Sequence, residues 1–498
     1  MTDRGTHPPL AAIAAASAVA ALAYLGLYAL TARSVLNPDP FVMARVAREV
    51  IAGKRLYAEA WDNKAPLCIL FYAIPEWLAP RSYAAIQVFA GMGALVQAAA
   101  ALFYTRGASP AARSAAVAVL LLGPLSRFEY AWASSQDSAN LFVAIALFAS
   151  LHVLLRPTHV ARDCFVAGVA TALAFHARQN CLLFGLFPAL AVLLVPEARA
   201  RWVRAAAALA AGGIAGGAVV LALMAAVGDL RGYVYTVFVA PRRYVGEPAK
   251  LIELLGFIRN DAMVLVVIAS LAALLPRRRE LVFAAALAAV GVVSIVSPMR
   301  DHYYYWAQLL PVASALVFLA LREQSPRAGR LAAGVLSAFL AGNAAWTVAK
   351  CVLRPTMRDS YAVARELDAL APADATFFAV GRDAAPLDFA SRRPSANPLF
   401  WDNYLFGPPS QVTPKPTTAV LAEYESAPPD LLVVDEDVID AIEHSPPGSQ
   451  NAAWELVRRY LDSGRYEPAG RHAGQTGGAA TASWRYYRLC KRCTTSLR

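Results

Sequence analysis

The chain has 498 residues, 58% of them hydrophobic and only 16% charged, with a mean hydropathy of +0.44. That composition excludes an ordinary soluble domain and describes a polytopic membrane protein. The 46 basic residues against 35 acidic ones, a net charge of +11, would suggest nucleic acid in a soluble chain. Here much of the excess sits in short loops between apolar runs, with no base-stacking module beside it, so no nucleic-acid partner is expected.

The first apolar run, 9–32, is too long for a cleavable signal and reads as a retained anchor. Further runs of bilayer-spanning length fall at 82–105, 110–126, 138–155, 163–177, 181–196, 205–228, 257–276, 281–299, 303–321 and 331–350, which makes eleven spans. Between Cys164 and Pro196 the triplet Arg178-Gln179-Asn180 interrupts a stretch readable as one long helix or two short ones. With two helices, five arginine clusters fall on one side: Arg106 and Arg113; Arg156 and Arg162; Arg199, Arg201 and Arg204; Arg277 to Arg279; and Arg322, Arg327 and Arg330. The positive-inside rule makes that side cytoplasmic. With one helix, the last three clusters would face out. The two-helix reading puts the loops at 33–81 and 227–256, and everything after about Arg354, on the outer face of the cytoplasmic membrane.

The segment Asp39 to Leu67 follows the first span directly and concentrates Arg45, Arg48, Glu49, Lys54, Arg55, Glu59, Asp62 and Lys64. Phe41, Val42, Val46, Val50 and Ile51 recur at roughly helical spacing, so an amphipathic helix with a lipid-facing apolar stripe is expected. Such charge beside a bilayer calls for a polar ligand. In the second outer loop Arg231, Arg242, Arg243, Lys250 and Arg259 surround Tyr233 to Pro241, an apolar patch too short to span. Its basic residues suit either headgroup anchoring or an anionic lipid headgroup or phosphate site.

From about Pro355 the composition becomes that of a small globular domain, dividing the chain into a membrane domain, 1–354, and an outer domain, 355–498. Helices are expected at Asp359–Leu370, Thr417–Glu425 and Ala452–Leu461, strands at Thr376–Val380, Leu431–Asp435 and Trp484–Leu489, and an irregular stretch at 381–416. This alternation implies an α/β layer. Of six cysteines only Cys490 and Cys493 have ligand-like spacing. Lacking a second pair, they fit an idle pair or a local disulfide better than zinc. No clear metal site is present, and a divalent metal acting with a phosphate substrate stays open.

A resemblance covers most of the chain. Asp39, Ala47-Arg48, Ala52-Gly53, Leu56-Tyr57, Trp61-Asp62 and Lys64-Ala65-Pro66-Leu67 look like the first outer loop of GT-C glycosyltransferases. More narrowly, the pattern resembles the family 39 group, which includes dolichyl-phosphate-mannose protein mannosyltransferases and bacterial aminoarabinose lipid A transferases. Pro40 stands where that group often has a second acid, and Ala65 replaces the first proline of Lys-Pro-Pro. Asp137, with Glu129 as the weaker choice, resembles a second outer-loop acid. Arg178-Gln179 resembles the basic-Gln turn between the fifth and sixth spans, and Arg300-Asp301-His302-Tyr303-Tyr304 with Leu309-Leu310-Pro311 resembles an outer His-Tyr and Leu-Pro element.

The resemblance implies a mainly α, GT-C-like helix bundle that transfers a hexose or pentose, with inversion, from a polyprenyl-phosphate donor to an envelope glycan, lipid or protein. It implies Asp39, or Asp137, as the catalytic base and Lys64 as the main phosphate ligand. Arg48, Arg55, Arg178, Arg242, Arg243 and Arg300 would complete the phosphate clamp, and Tyr57, Trp61, Asp62, His302 and Tyr303 would shape the sugar pocket. Plainer readings stand beside these: Asp39 and Asp137 as helix caps, Lys64 snorkelling to headgroups, and 303–306 as an aromatic belt. His152 and His176, near span ends, are expected to pack there. A transporter or lipid flippase is the main rival, opposed by spans almost free of acids and by charge gathered on one face. A non-catalytic envelope scaffold is a third reading.

Overall fold

The structure is a computed structural model that describes residues 10–34, 39–127, 134–240, 262–297, 303–381, 384–394, 417–444, 452–473 and 483–490. The membrane domain contains helices α1 (Leu10–Thr31), α2 (Asp39–Ile51), α3 (Pro66–Leu78), α4 (Tyr83–Tyr104), α5 (Pro110–Leu122), α6 (Ser135–Leu155) and α7 (Val160–Ala177). It continues with α8 (Leu186–Leu194), α9 (Pro196–Arg199), α10 (Trp202–Val227), α11 (Leu230–Val234), α12 (Ala262–Ala273), α13 (Arg278–Val296), α14 (Leu309–Leu321) and α15 (Pro326–Leu353).

A helix occupies each expected span. Six of the described helices are long and apolar enough to cross a membrane, and several of the others are much shorter, such as the 13 residues of α5 and of α14. The chain is a multi-pass membrane protein. Its Arg178-Gln179-Asn180 interruption ends α7 and opens a 3-10 turn, Gln179–Gly185, before α8, which packs back on α6 and α7. The center of the bundle is α14, buried along Leu309–Ala320, and α6 beside it.

Helices α7 and α10 make the most extensive pairing. At Gly212 a Cβ would meet the Phe165 carbonyl oxygen at 2.1 Å, and at Gly168 the Leu209 carbonyl oxygen at 2.2 Å. Only glycine lets these backbones approach so closely, the small-residue packing of helices in lipid.

The 33–81 region contains a helix that the charge pattern hid. Apolar α3 follows the charged loop, with Pro66 at its first turn, and at 13 residues it is about 20 Å long, too short to span. It packs against α2, α4, α6 and α7, so the loop closes onto the bundle instead of lying loose above it.

The C-terminal domain begins with α16 (Met357–Leu370) and continues through β1 (Phe377–Val380), α17 (Ala384–Ala390), α18 (Thr417–Ser426), β2 (Leu431–Asp435), α19 (Glu436–His444), α20 (Ala452–Asp462), β3 (Tyr466–His472) and β4 (Trp484–Leu489). The sheet order is β1-β2-β4-β3, with β1 and β2 parallel, Phe377 opposite Leu431, and β4 antiparallel to both β2 and β3. The two parallel strands are buried throughout, as their unbroken apolar runs require. Strand β3 escapes the sequence reading because its burial pattern is mostly exposed and a bulge interrupts it between Pro468 and Gly470. Helix α17 lies inside the stretch expected to be irregular; 395–416 is outside the described residues. Arg393, 2% exposed, donates to the carbonyls of Leu367, Asp368, Ala371 and Pro372 and so closes the C-terminus of α16. Cys490 is disulfide-bonded, which departs from the idle pair favoured by the sequence; Cys493 lies outside the described residues.

Candidate active site

Helix α2 starts at Asp39, whose carboxylate stands at the positive end of the helix dipole and is 2% exposed. The apolar stripe behind it faces protein, not lipid: Phe41, Val42 and Val46 are fully or almost fully buried. Phe41 packs on Tyr83 of α4 at 4.5 Å between ring centroids and on Phe389 of α17 at 5.3 Å. An amphipathic period shows that one face is covered, and here α3, α4 and the C-terminal domain do the covering.

Most charges of the segment also turn inward to one another. Arg45 Nη2 pairs with Glu49 at 3.0 Å and its Nε with Asp388 of α17 at 3.8 Å, while Lys54 pairs with Glu49 at 2.6 Å. Arg48 Nε donates to Glu76 Oε2 at 2.9 Å, its Nη2 donates to the Phe389 carbonyl at 3.1 Å, and its guanidinium lies over the Phe389 ring. Arg81 Nε donates to the Ser391 carbonyl at 3.0 Å, and the Tyr361 hydroxyl donates to the Arg81 carbonyl at 2.7 Å. Arg48, expected at a phosphate, thus ties α2 to α3 and to the C-terminal domain. Glu76, a lone acid in an apolar helix, was the signal for this clamp. Its side chain is fully buried, so Glu76→Ala leaves Arg48 without its counter-charge and is expected to destabilise the protein by about 3 kcal/mol, read as a lower thermal unfolding midpoint.

The loop after α2 folds as a tight turn in which the Arg55 carbonyl accepts from the amides of Ala58, Glu59 and Ala60. Arg55 donates through Nε and Nη2 to the Gly228 carbonyl at the end of α10, at 3.3 and 2.8 Å, so its guanidinium caps that helix. Tyr57 holds a left-handed backbone, φ 69°, unusual for a residue with a bulky side chain. Its hydroxyl donates to the Lys64 carbonyl at 2.7 Å, and the Lys64 amide donates to Asp62 Oδ1 at 2.9 Å. These bonds fix the backbone on both sides of Lys64. Trp61, 3% exposed, packs in the core behind it.

The Lys64 ammonium lies 3.9 Å from Asp39 Oδ2 and 3.8 Å from Asp62 Oδ1, and donates to Asn63 Oδ1 at 3.1 Å. One cation therefore stands between two buried carboxylates from two elements. The two ion-pair contacts are longer than a direct charge-assisted hydrogen bond. Burial raises the Asp62 carboxyl above its ordinary range, and Lys64 opposes that rise; Asp62 Oδ2 is buried with no hydrogen-bond partner.

A pH dependence follows. Between the ordinary carboxylate pKa and the raised one, the folded protein keeps a proton that the unfolded chain has released, so stability from Asp62 is lost as pH rises through that window. Unfolding midpoints of Asp62→Asn and its parent across pH should show the variant gaining relative stability as pH rises, and a constant difference would remove this account.

Asp137 sits at the third position of α6 in a capping box, its Oδ2 accepting from the Ser134 amide at 2.7 Å. Tyr72, fully buried, is the middle residue of α3. Arg178 Nε donates to Asn180 Oδ1 at 3.1 Å and its guanidinium lies 4.2 Å from the Tyr305 ring centroid. Asn180 contacts Gln308, and Asn140 Nδ2 of α6 donates to the Ala307 carbonyl at 2.9 Å, so the 178–180 turn, α6 and the 3-10 turn Tyr303–Gln308 meet. On these elements Gln136 Nε2, Gln179 Nε2 and Trp306 Nε1 are buried donors without partners. The sequence marked Gln179 only as part of its turn and Trp306 only as part of an aromatic belt, and it passed over Gln136, because amides and indoles in a span look like ordinary packing.

His152 Nδ1 pairs with Asp163 at 2.6 Å, and His176 packs on Tyr233, as expected of span-end histidines. Glu129, Arg242, Arg243, Arg300, His302 and the Tyr303 side chain lie outside the described residues. Among the described residues no group of three or more His, Cys, Asp or Glu side chains could hold a metal ion.

No family model matches the chain, and no curated protein matches it in sequence. Among solved structures it is similar to ArnT from Cupriavidus metallidurans in the apo state, with a TM-score of 0.64 and 15% identity over 97% of this chain and 99% of that one. It is similar also to ArnT from the same organism bound to undecaprenyl phosphate, with a TM-score of 0.62 and 15% identity over the same shares. The chain shares the fold of these ArnT structures, a membrane helix bundle carrying a small C-terminal sheet, over 97% of its length.

Proposed function

We propose that this protein is an inverting glycosyltransferase that moves a sugar from a polyprenyl-phosphate donor to an acceptor hydroxyl of the cell envelope, at the outer face of the cytoplasmic membrane. The single observation that supports it most is Lys64, a cation fixed by its own backbone bonds between buried Asp39 and Asp62. The fold adds weight, since one similar ArnT structure was solved bound to undecaprenyl phosphate.

In this reading the acceptor oxygen attacks C1 of the sugar while the bond from C1 to the phosphate oxygen breaks. Asp39 takes the acceptor's proton, and Lys64 turns from the carboxylates to the departing lipid phosphate. Arg178, with Arg242, Arg243 and Arg300, supplies further positive charge for the phosphate. Donors without partners at Gln136, Gln179 and Trp306 suit sugar hydroxyls, and Asp137 is the second acid of this scheme. His302 and Tyr303 belong to the sugar pocket in the same scheme. The clamp made by Arg48 and Glu76 holds α2, and with it Asp39, at a fixed angle to α3.

The test is transfer by the purified protein in proteoliposomes supplied with polyprenyl-phosphate sugars and envelope acceptors. The expected product carries the sugar with the configuration at C1 inverted and leaves polyprenyl phosphate behind. Retained configuration would reject the single displacement. Movement of the intact lipid-linked sugar between leaflets, without cleavage, would favour the flippase alternative.

A further inference from the structure

At the end of the bundle away from Asp39 lies a cavity of about 200 Å³, bounded by the turn after α4, the end of α6 and the end of α14. Helix α4 runs 22 residues from Tyr83, beside the catalytic helix, to Tyr104 at this cavity, a rise of about 33 Å, so the cavity is separate from the proposed active site. Arg106, Arg156 and Arg322 line it, with Glu323 as the acid among its lining residues.

These arginines are arranged, not merely present. The Arg156 guanidinium lies on Gly107, where a Cβ would come within 2.8 Å of its Nη2, and Gly107 holds a left-handed backbone of φ 76° that glycine alone adopts freely. Arg322 Nη2 donates to Glu280 at 3.2 Å and pairs with Glu323, yet its Nε is buried without any acceptor. Glu323 is further neutralised by Arg277 at 3.1 Å, and His152 on the wall is held through Nδ1 by Asp163. The cavity is left with net positive charge and an unanswered buried donor.

We propose that this cavity binds the phosphate of an anionic membrane-lipid headgroup. Orientation of the spans alone requires basic loops, not a cavity, a glycine beneath one guanidinium and a buried unpaired Nε. Basic pockets between helices at a membrane surface recognise lipid phosphates in this way. Leu155 and Phe318 form its apolar wall, and exposed Leu102 and Phe103 beside it face the lipid, which favours a headgroup over phosphate from solution.

The test uses the full-length protein in nanodiscs of phosphatidylcholine with added phosphatidylglycerol, counting retained phosphatidylglycerol by native mass spectrometry. Arg106→Gln with Arg156→Gln is expected to lower apparent affinity roughly 30-fold, since each arginine near a charged surface is worth about a factor of five. Arg327→Gln with Arg330→Gln, equal in charge, exposed on α15 and outside the cavity, is expected to change it little. Gly107→Ala alters no charge but pushes a methyl into Arg156, and should also weaken retention. Displacement by inorganic phosphate would show that the cavity accepts a free phosphate as well, whereas no displacement fixes the ligand as a headgroup. Equal loss in both double variants, or unchanged retention in the cavity double and in Gly107→Ala, would overturn the proposal.

Discussion

Asp39→Asn is expected to lower sugar transfer by about 10²- to 10⁴-fold while donor binding persists, the range set by loss of general acid–base help. Asparagine keeps the size of the side chain and caps a helix about as well as aspartate. It cannot take the acceptor's proton. The structure sharpens this prediction, because Asp39 is buried beside Lys64 and fixed on a helix whose other face is packed on α3, α4 and α17. If helix capping were its whole role, the variant would retain near-parental rates and an unchanged unfolding midpoint, and suspicion would move to Asp137.

Lys64→Ala carries the second large effect. Loss of one charge-assisted contact to the lipid phosphate should weaken donor binding roughly 10- to 100-fold. From the sequence alone this change is expected to leave folding nearly intact. The structure revises that expectation, since the ammonium stands between Asp39 and Asp62, and its removal leaves two buried carboxylates without their shared cation. The unfolding midpoint should therefore fall too, and fall less at low pH, where Asp62 is protonated. Lys64→Arg, which keeps the charge, should restore the midpoint and part of the donor affinity. Parental donor affinity in Lys64→Ala would return this residue to a headgroup-snorkelling role.

The membrane helices were legible because span length and charge depletion are properties of local sequence. The break at Arg178-Gln179-Asn180 was legible from arginines far from it, since adding or removing one crossing reverses the side of every later loop. What the sequence hid were contacts between distant elements. The stripe of Phe41, Val42 and Val46 has the same period whether it meets lipid or Phe389, which lies far along the chain in the C-terminal domain. Likewise Arg48 reads as a free cation until Glu76 and the Phe389 carbonyl are placed against it. Asp62 and Lys64 are close in sequence, yet their pairing shows only in the folded loop, and the third member, Asp39, joins them through the packing of α2 on α3.

The C-terminal domain bears on the helix that carries Asp39. Phe389 stacks on Phe41 and Arg48, and Asp388 faces Arg45, so α17 presses on the helix that begins with Asp39. The clamp explains why a segment so rich in charge leaves mainly Lys64 turned towards the two acids of the proposed site.

The most direct measurement is single-turnover transfer from a radiolabelled polyprenyl-phosphate sugar to an envelope acceptor hydroxyl by the purified parent, Asp39→Asn and Lys64→Ala, with bound and cleaved donor separated at each time point. The account predicts cleavage by the parent, donor bound but uncleaved with Asp39→Asn, and little donor bound with Lys64→Ala. Cleavage by Asp39→Asn at the parental rate, together with full donor binding by Lys64→Ala, would contradict it.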